Sequence, residues 1–315
     1  MTTVLITHPA CLEHDTGPYH PETAERLRAV LTALEAEEFA ALLRAPAPLA
    51  TLEQLVRVHP RDYVDAILAI HPDLGQPVHL DADTVMSAGS AEAAARAAGG
   101  AIAAVDAVMQ GWARAAFAAV RPPGHHAEPR RAMGFCLFNH AAVAALHARA
   151  QWGVERVAVV DFDVHHGNGT QAIFAADPGL FYASSHQSPC YPGTGAPNER
   201  GVAGNIINVP LRARDGGAAF RAAWSGTILP LLDAFAPGLL IISAGFDAHI
   251  ADPMAQLRLE TEDFAWITGQ LVALADRHCG GRVVSVLEGG YDLDALAASV
   301  AVHVRGLMRA LPAPG

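Results

Sequence analysis

The stretch 157-VAVVDFDVHHGNGT-170 begins as a buried strand and ends as a cluster of polar groups. Val157 to Val160 is apolar at successive positions, the pattern of a strand covered on both faces. Asp161, Asp163, His165, His166 and Asn168 then follow within eight residues. In an extended segment, residues two apart point to the same side. Asp163 and His165 therefore offer a carboxylate and an imidazole to one crevice. Ligand sites of open α/β sheets lie at the carboxyl ends of the strands, and this cluster occupies such an end.

The rest of the chain repeats the arrangement. Short β-rich runs at 4-VLIT-7, 117-FAAV-120, 180-LFYASS-185, 239-LLIISAGF-246 and 283-VVSVLEGG-290 join 157–163 as expected strands. Residues 22–37, 89–111, 139–152, 216–236, 262–278 and 292–311 have helical apolar spacing. The alternation predicts an α/β fold, one mostly parallel sheet with helices on both faces, in one domain. The Pro/Ala segment 45-APAPLA-50 reads as a surface turn. Polar loops follow four of the strands: 121-RPPGHHAEP-129, 161–168, Phe246-Asp247 and Glu288-Gly289-Gly290-Tyr291. They are expected to meet at one mouth of the sheet.

The residue types at that mouth suggest metal-assisted hydrolysis. Asp163 and His165, with Asp247 arriving from another strand end, make three ligands and leave a coordination position open. Catalytic zinc has that form, whereas structural zinc is closed by four ligands rich in cysteine. His125 and His126 sit on a loop stiffened by Pro122 and Pro123, and hydrolysis needs a base for water and an acid for the leaving group. Asp161 and Asn168 are candidate partners for their second ring nitrogens. Tyr291, directly after two glycines, offers a hydroxyl to a developing oxyanion.

Composition narrows the alternatives. The net charge is −11 with no evident basic patch, which argues against a nucleic-acid partner and favours a cationic one. No lysine occurs, so a P-loop lysine and a Schiff-base lysine are both excluded. Cys11, Cys136, Cys190 and Cys279 form no CxxC pair, and no run has the length of a membrane span. Residues 1–15 lack the basic start of a signal peptide, so a cytoplasmic setting away from the membrane is expected.

In order along the chain, 20-HPETAERLR-28, RPPGHHA (121–127), GFCLFN (134–139), VDFDVHHGNGT (160–170), YPGTG (191–195), SAGFDAH (243–249) and LEGGY (287–291) resemble the histone deacetylase superfamily. The likeness is to its class II and bacterial amidohydrolase branches, which include acetylpolyamine amidohydrolases. The resemblance implies an arginase/deacetylase fold, with residues 1–315 as a single deacetylase domain. It implies one zinc ion on Asp163, His165 and Asp247, with His126 as general base oriented by Asn168. His125 is its electrostatic partner, paired with Asp161, and Tyr291 is the catalytic tyrosine. Gly134, Phe135 and Tyr191 correspond to the acyl tunnel, and Arg26 to an arginine near an internal channel. Two structural potassium sites are implied, one at Asp161, Asp163, His165 and Ser184, the other at Phe174, Asp177, Leu180 and Phe220.

The expected activity is hydrolysis of N-acyl, mainly N-acetyl, amides of lysine side chains or polyamine-like amines. Met254 stands where strict polyamine enzymes of the family often carry a glutamate. A dimetal ureohydrolase on the same fold would need carboxylates at the positions of Gly167 and His249. A catalytically silent acyl-lysine or small-molecule binder would be favoured by loss of Tyr291 or a metal ligand, and all are present.

Overall fold

The computed structural model describes residues 2–308. Eight strands form one sheet: β1 (Thr3–Thr7), β2 (Leu43–Pro46), β5 (Ala115–Ala118), β6 (Val157–Asp161), β7 (Leu180–Gln187), β8 (Ile206–Leu211), β9 (Leu239–Ala244) and β10 (Val283–Leu287). Their order is β2-β1-β5-β10-β9-β6-β7-β8 and every pairing is parallel. The short β3 (Val78–His79) and β4 (Val85–Met86) pair separately and antiparallel. The central strands are buried along their full length, as parallel sheets with both faces covered must be.

Helices supply that cover: α1 (Ala24–Ala33), α2 (Leu52–Leu55), α3 (Arg61–Leu68), α4 (Ser90–Met109), α5 (His140–Trp152), α6 (Asn168–Phe174), α7 (Gly217–Ala223), α8 (Leu229–Phe235), α9 (Thr261–His278) and α10 (Leu293–Met308). The alanines and Gly99–Gly100 of α4 allow a close approach: a Cβ on Gly99 would lie 1.9 Å from the Pro48 carbonyl oxygen. Among the described residues no helix is long and apolar enough to cross a membrane.

Several expected boundaries move. The strand expected over 157–163 ends at Asp161, because Asp163 and His165 turn inward to bond one another. The helix expected over 216–236 is α7 and α8 joined through a π turn at Trp224–Ile228. The presumed surface turn 45–50 begins inside edge strand β2. Strand β8 was not expected, since Asn208 and Pro210 interrupt its apolar run. The end of the helix expected over 292–311 lies outside the described residues.

Candidate metal-dependent active site

Four adjacent strands, β5-β10-β9-β6, deliver the polar loops to one place. Asp163, His165 and Asp247 are all buried, and their ligand atoms lie within 4.8 Å of one another. His165 Nδ1 is 3.1 Å from both Asp163 Oδ1 and Asp247 Oδ2. Backbone donors fix the carboxylates: the Val164 N–H bonds Asp247 Oδ1 at 2.8 Å and the Gly289 N–H bonds Asp163 Oδ2 at 2.8 Å. A Cβ on Gly289 would stand 2.2 Å from Asp247 Oδ2, so this approach requires glycine. Burial, with the charge of Asp163 added, pushes the Asp247 carboxyl up to about 7. Two carboxylates converging out of water call for a cation, and this donor set of two oxygens and one nitrogen suits a divalent metal.

The histidine pair is positioned from behind. His126 Nδ1 faces Asn168 Oδ1 at 2.8 Å. The Asn168 amide is itself oriented, because its Nδ2 donates to Glu128 at 2.9 Å. Asn168 Oδ1 therefore accepts, His126 Nδ1 carries the proton, and Nε2 keeps a free lone pair. Burial, and then the neighbouring His125 and His165, hold the His126 pKa well below its ordinary value, so the ring is neutral. His125 behaves oppositely. Burial would lower its pKa, but Asp163, Asp161 and Glu288 outweigh that and raise it to about 10. Its Nδ1 meets Asp161 Oδ2 at 3.0 Å, and the same oxygen accepts the Tyr182 hydroxyl at 3.0 Å. Glu288 Oε2 accepts the N–H groups of Gly124 and His125, which pins the histidine loop to the end of β10.

A cavity of about 250 Å³ opens over these groups, lined by Phe135, Tyr191, Gly134, Met254, His126 and Tyr291 among others. Gly134 (φ 55°) and Phe135 (φ 70°) both take left-handed backbone, and a Cβ on Gly134 would strike the His126 ring at 2.4 Å. That turn sends Phe135 into the wall, where its ring meets Tyr291 edge-on at 6.0 Å. Tyr191 meets His126 edge-on at 5.1 Å. Burial keeps the Tyr291 hydroxyl protonated, its pKa well above the ordinary value.

The structure thus brings together every catalytic, metal and tunnel residue expected from the sequence. Asp161 and Ser184, of the first expected cation site, are register partners across β6 and β7. In the second set, three of the four residues meet at one point. The carbonyls of Phe174, Asp177 and Leu180 converge, but on Asn205. Phe220 is buried on α7, where its carbonyl accepts the Trp224 N–H.

Several contributors went unread in the sequence. Asp252 accepts the N–H groups of Tyr291 and Asp292 on one oxygen and that of Met254 on the other. Asp83 and Cys190 line the cavity. Glu22 bonds both Arg26 (2.8 Å) and Arg121 (2.8 Å), all three fully buried. Arg26 in turn donates to the Glu288 and Gly290 carbonyls and lies 4.7 Å from the Tyr291 ring centre. The arginine directly before the PPGHH loop was the available signal, since a buried guanidinium needs a carboxylate.

The fold is an α/β scaffold with, among the described residues, one buried three-residue group that could hold a metal ion, and comparison with known proteins gives it a family. The histone deacetylase domain model matches residues 20–307. A histone deacetylase-like amidohydrolase of Pseudomonas aeruginosa is 41% identical over 304 residues, spanning 89% of this chain and 79% of that protein. A probable deacetylase of Archaeoglobus fulgidus is 39% identical over 300 residues, 93% of this chain and 82% of that one. The crystal structure of the HDA15 HD domain superposes with a TM-score of 0.92 at 36% identity, covering 99% of this chain and 91% of that chain. The chain belongs to the histone deacetylase family, and its sheet and helices are the arginase/deacetylase fold.

Proposed function

We propose that the protein is a zinc-dependent deacetylase that hydrolyses N-acetyl and other short N-acyl amides of lysine side chains or polyamine-like amines. The observation that carries this reading is that His126, its Nδ1 held by Asn168, and Tyr291 line one cavity with His165 of the Asp163–His165–Asp247 cluster. Those three residues would hold the zinc, which supplies Lewis acidity to the amide carbonyl and to the attacking water.

The acyl chain lies between Phe135 and Tyr191, with Met254 and Gly134 completing the slot. His126 Nε2 removes a proton from water as its oxygen attacks the carbonyl carbon. The Tyr291 hydroxyl donates to the oxygen as negative charge develops there. His125, paired with Asp161, sits beside His126 as its electrostatic partner. As the C–N bond breaks, the proton on His126 passes to the leaving nitrogen, giving a free amine and a carboxylate. The acidic balance of the chain and Asp83 at the cavity favour a cationic amine. Asp161, Asp163, His165 and Ser184 would hold a potassium ion. Strands from both ends of the chain, β1 and β10, flank β5, which supports reading 1–315 as one deacetylase domain. The four free cysteines accord with a reduced, cytoplasmic setting.

Among the described residues there is one three-ligand cluster, which favours this reading over a dimetal ureohydrolase. The experiment is turnover of acetyl-lysine peptides, acetylpolyamines and small N-acyl amines by the zinc-loaded protein and by Tyr291→Phe. The variant is expected to lose about 10²–10³-fold in kcat, the scale of one oxyanion donor, with KM little changed. Normal kcat in the variant, or no turnover of any amide by the parent, contradicts the reading.

A further inference from the structure

At the start of β7 three backbone carbonyls surround one side-chain amide. Phe174 ends α6, so its oxygen has no onward helical partner and accepts the Asp177 N–H instead. The Asp177 oxygen, in the turn, accepts the Leu180 N–H. Leu180 opens β7 ahead of its first register pair with β8, Tyr182 with Ile206. All three oxygens face Asn205 Nδ2, at 3.0 Å from Phe174, 3.1 Å from Asp177 and 2.8 Å from Leu180. Phe174, Leu180 and Asn205 are buried, at 0%, 1% and 3% exposed, while Asp177 is half-buried.

The orientation of the amide follows from its other end. Asn205 Oδ1 accepts the Ala203 N–H at 3.2 Å. Turning the amide over would set Oδ1 against three carbonyl oxygens, with no proton between them. The –NH₂ group brings two protons to three acceptors. Leu180, the nearest, takes one. Phe174 and Asp177, each already accepting a backbone N–H, share the other as a three-centre bond.

Three inward-facing carbonyl oxygens are ligands suited to a monovalent cation, and the family resemblance assigns a potassium ion to these same residues. The residues present do not fit that ion, because a donor group already occupies the point they share. We infer that Asn205 stands in for the second monovalent cation, so that this corner of the fold is held together without an ion. A neutral donor also leaves no charge to balance, and the nearby Asp177 carboxylate is already paired with Arg149. The substitution concerns the scaffold and does not depend on which amide the active site cleaves.

Thallium(I), a potassium mimic with a strong anomalous signal, tests this in crystals of the whole chain and of Asn205→Ala. The parent should show no thallium among the three carbonyls. The variant, its amide removed, should show thallium there. In solution its Tm should rise when potassium chloride replaces choline chloride, by more than the parent's does. A thallium peak within the parent's cage, with Asn205 turned away, overturns the inference. So does an Asn205→Ala protein that folds with an empty cage and no added potassium dependence, since the carbonyls would then have no call for a cation. If Asn205→Ala does not fold even in potassium, the thallium map of the parent decides alone.

Discussion

Two clusters of buried charge lie back to back in this molecule, and they are balanced differently. Around Glu22 one carboxylate meets two guanidiniums, Arg26 and Arg121. Burial would raise the Glu22 pKa, but the two arginines outweigh it and hold the carboxyl at about 2. Around Asp163 and Asp247 carboxylates outnumber the cations, and burial pushes both Asp247 and Glu288 up to about 7. The first cluster is complete within the chain. The second is left short of positive charge, and that deficit marks where an external ion belongs. Arg26 links the two, bonding Glu22 on one side and the carbonyls of the Tyr291 loop on the other. The self-sufficient cluster thus braces the incomplete one.

The largest effect expected on chemistry comes from His126. His126→Ala removes the ring proposed as the general base and should lower turnover by about 10²–10⁴-fold. Metal content measured on the same preparation should be unchanged, because His126 is outside the ligand set. Normal turnover would place the base elsewhere and break the contrast between the two histidines.

Glu22→Gln should act on stability. It leaves two buried guanidiniums without their anion, a change that costs about 3–5 kcal/mol when a buried pair is broken. Denaturant unfolding at neutral pH reads that loss. The pH dependence has a definite sign. A folded pKa of about 2, below the ordinary carboxylate value, contributes stability that is complete above about 4.5. That stability, about 3 kcal/mol, is lost as pH falls from there through about 2. The Gln variant should lack this component, and an equal acid dependence in both proteins would show that Glu22 is not charged in the fold.

Much of the active site was legible in the sequence because its parts are local. Asp163 and His165 sit two apart at a strand end, and the other candidate residues lie on the short loops that follow apolar runs. Strand pairing was less legible. The edge strands, β2 mostly exposed and β8 half-buried, carry Pro46, Asn208 and Pro210 and lack the apolar run that marks a central strand. The supporting groups were the least visible, since they depend on contacts far apart in sequence. Asp252 reaches Tyr291 across 39 positions, and Glu288 reaches Gly124 across 164. Asn205, which meets the carbonyls of Phe174, Asp177 and Leu180 just ahead of the β7–β8 pairing, is announced by no local motif.

The claim at the centre is that a chain-supplied anionic cluster is completed by one metal ion and then cleaves amides. The direct measurement is zinc content and acetyl-lysine turnover on one preparation, before chelation, after chelation and after stoichiometric zinc, with Asp247→Asn alongside. The account predicts one zinc per chain, loss of turnover on chelation and its return with zinc. Asp247→Asn, short of one anionic ligand, should retain little of either. Turnover that survives chelation, or full zinc occupancy and activity in Asp247→Asn, would contradict it.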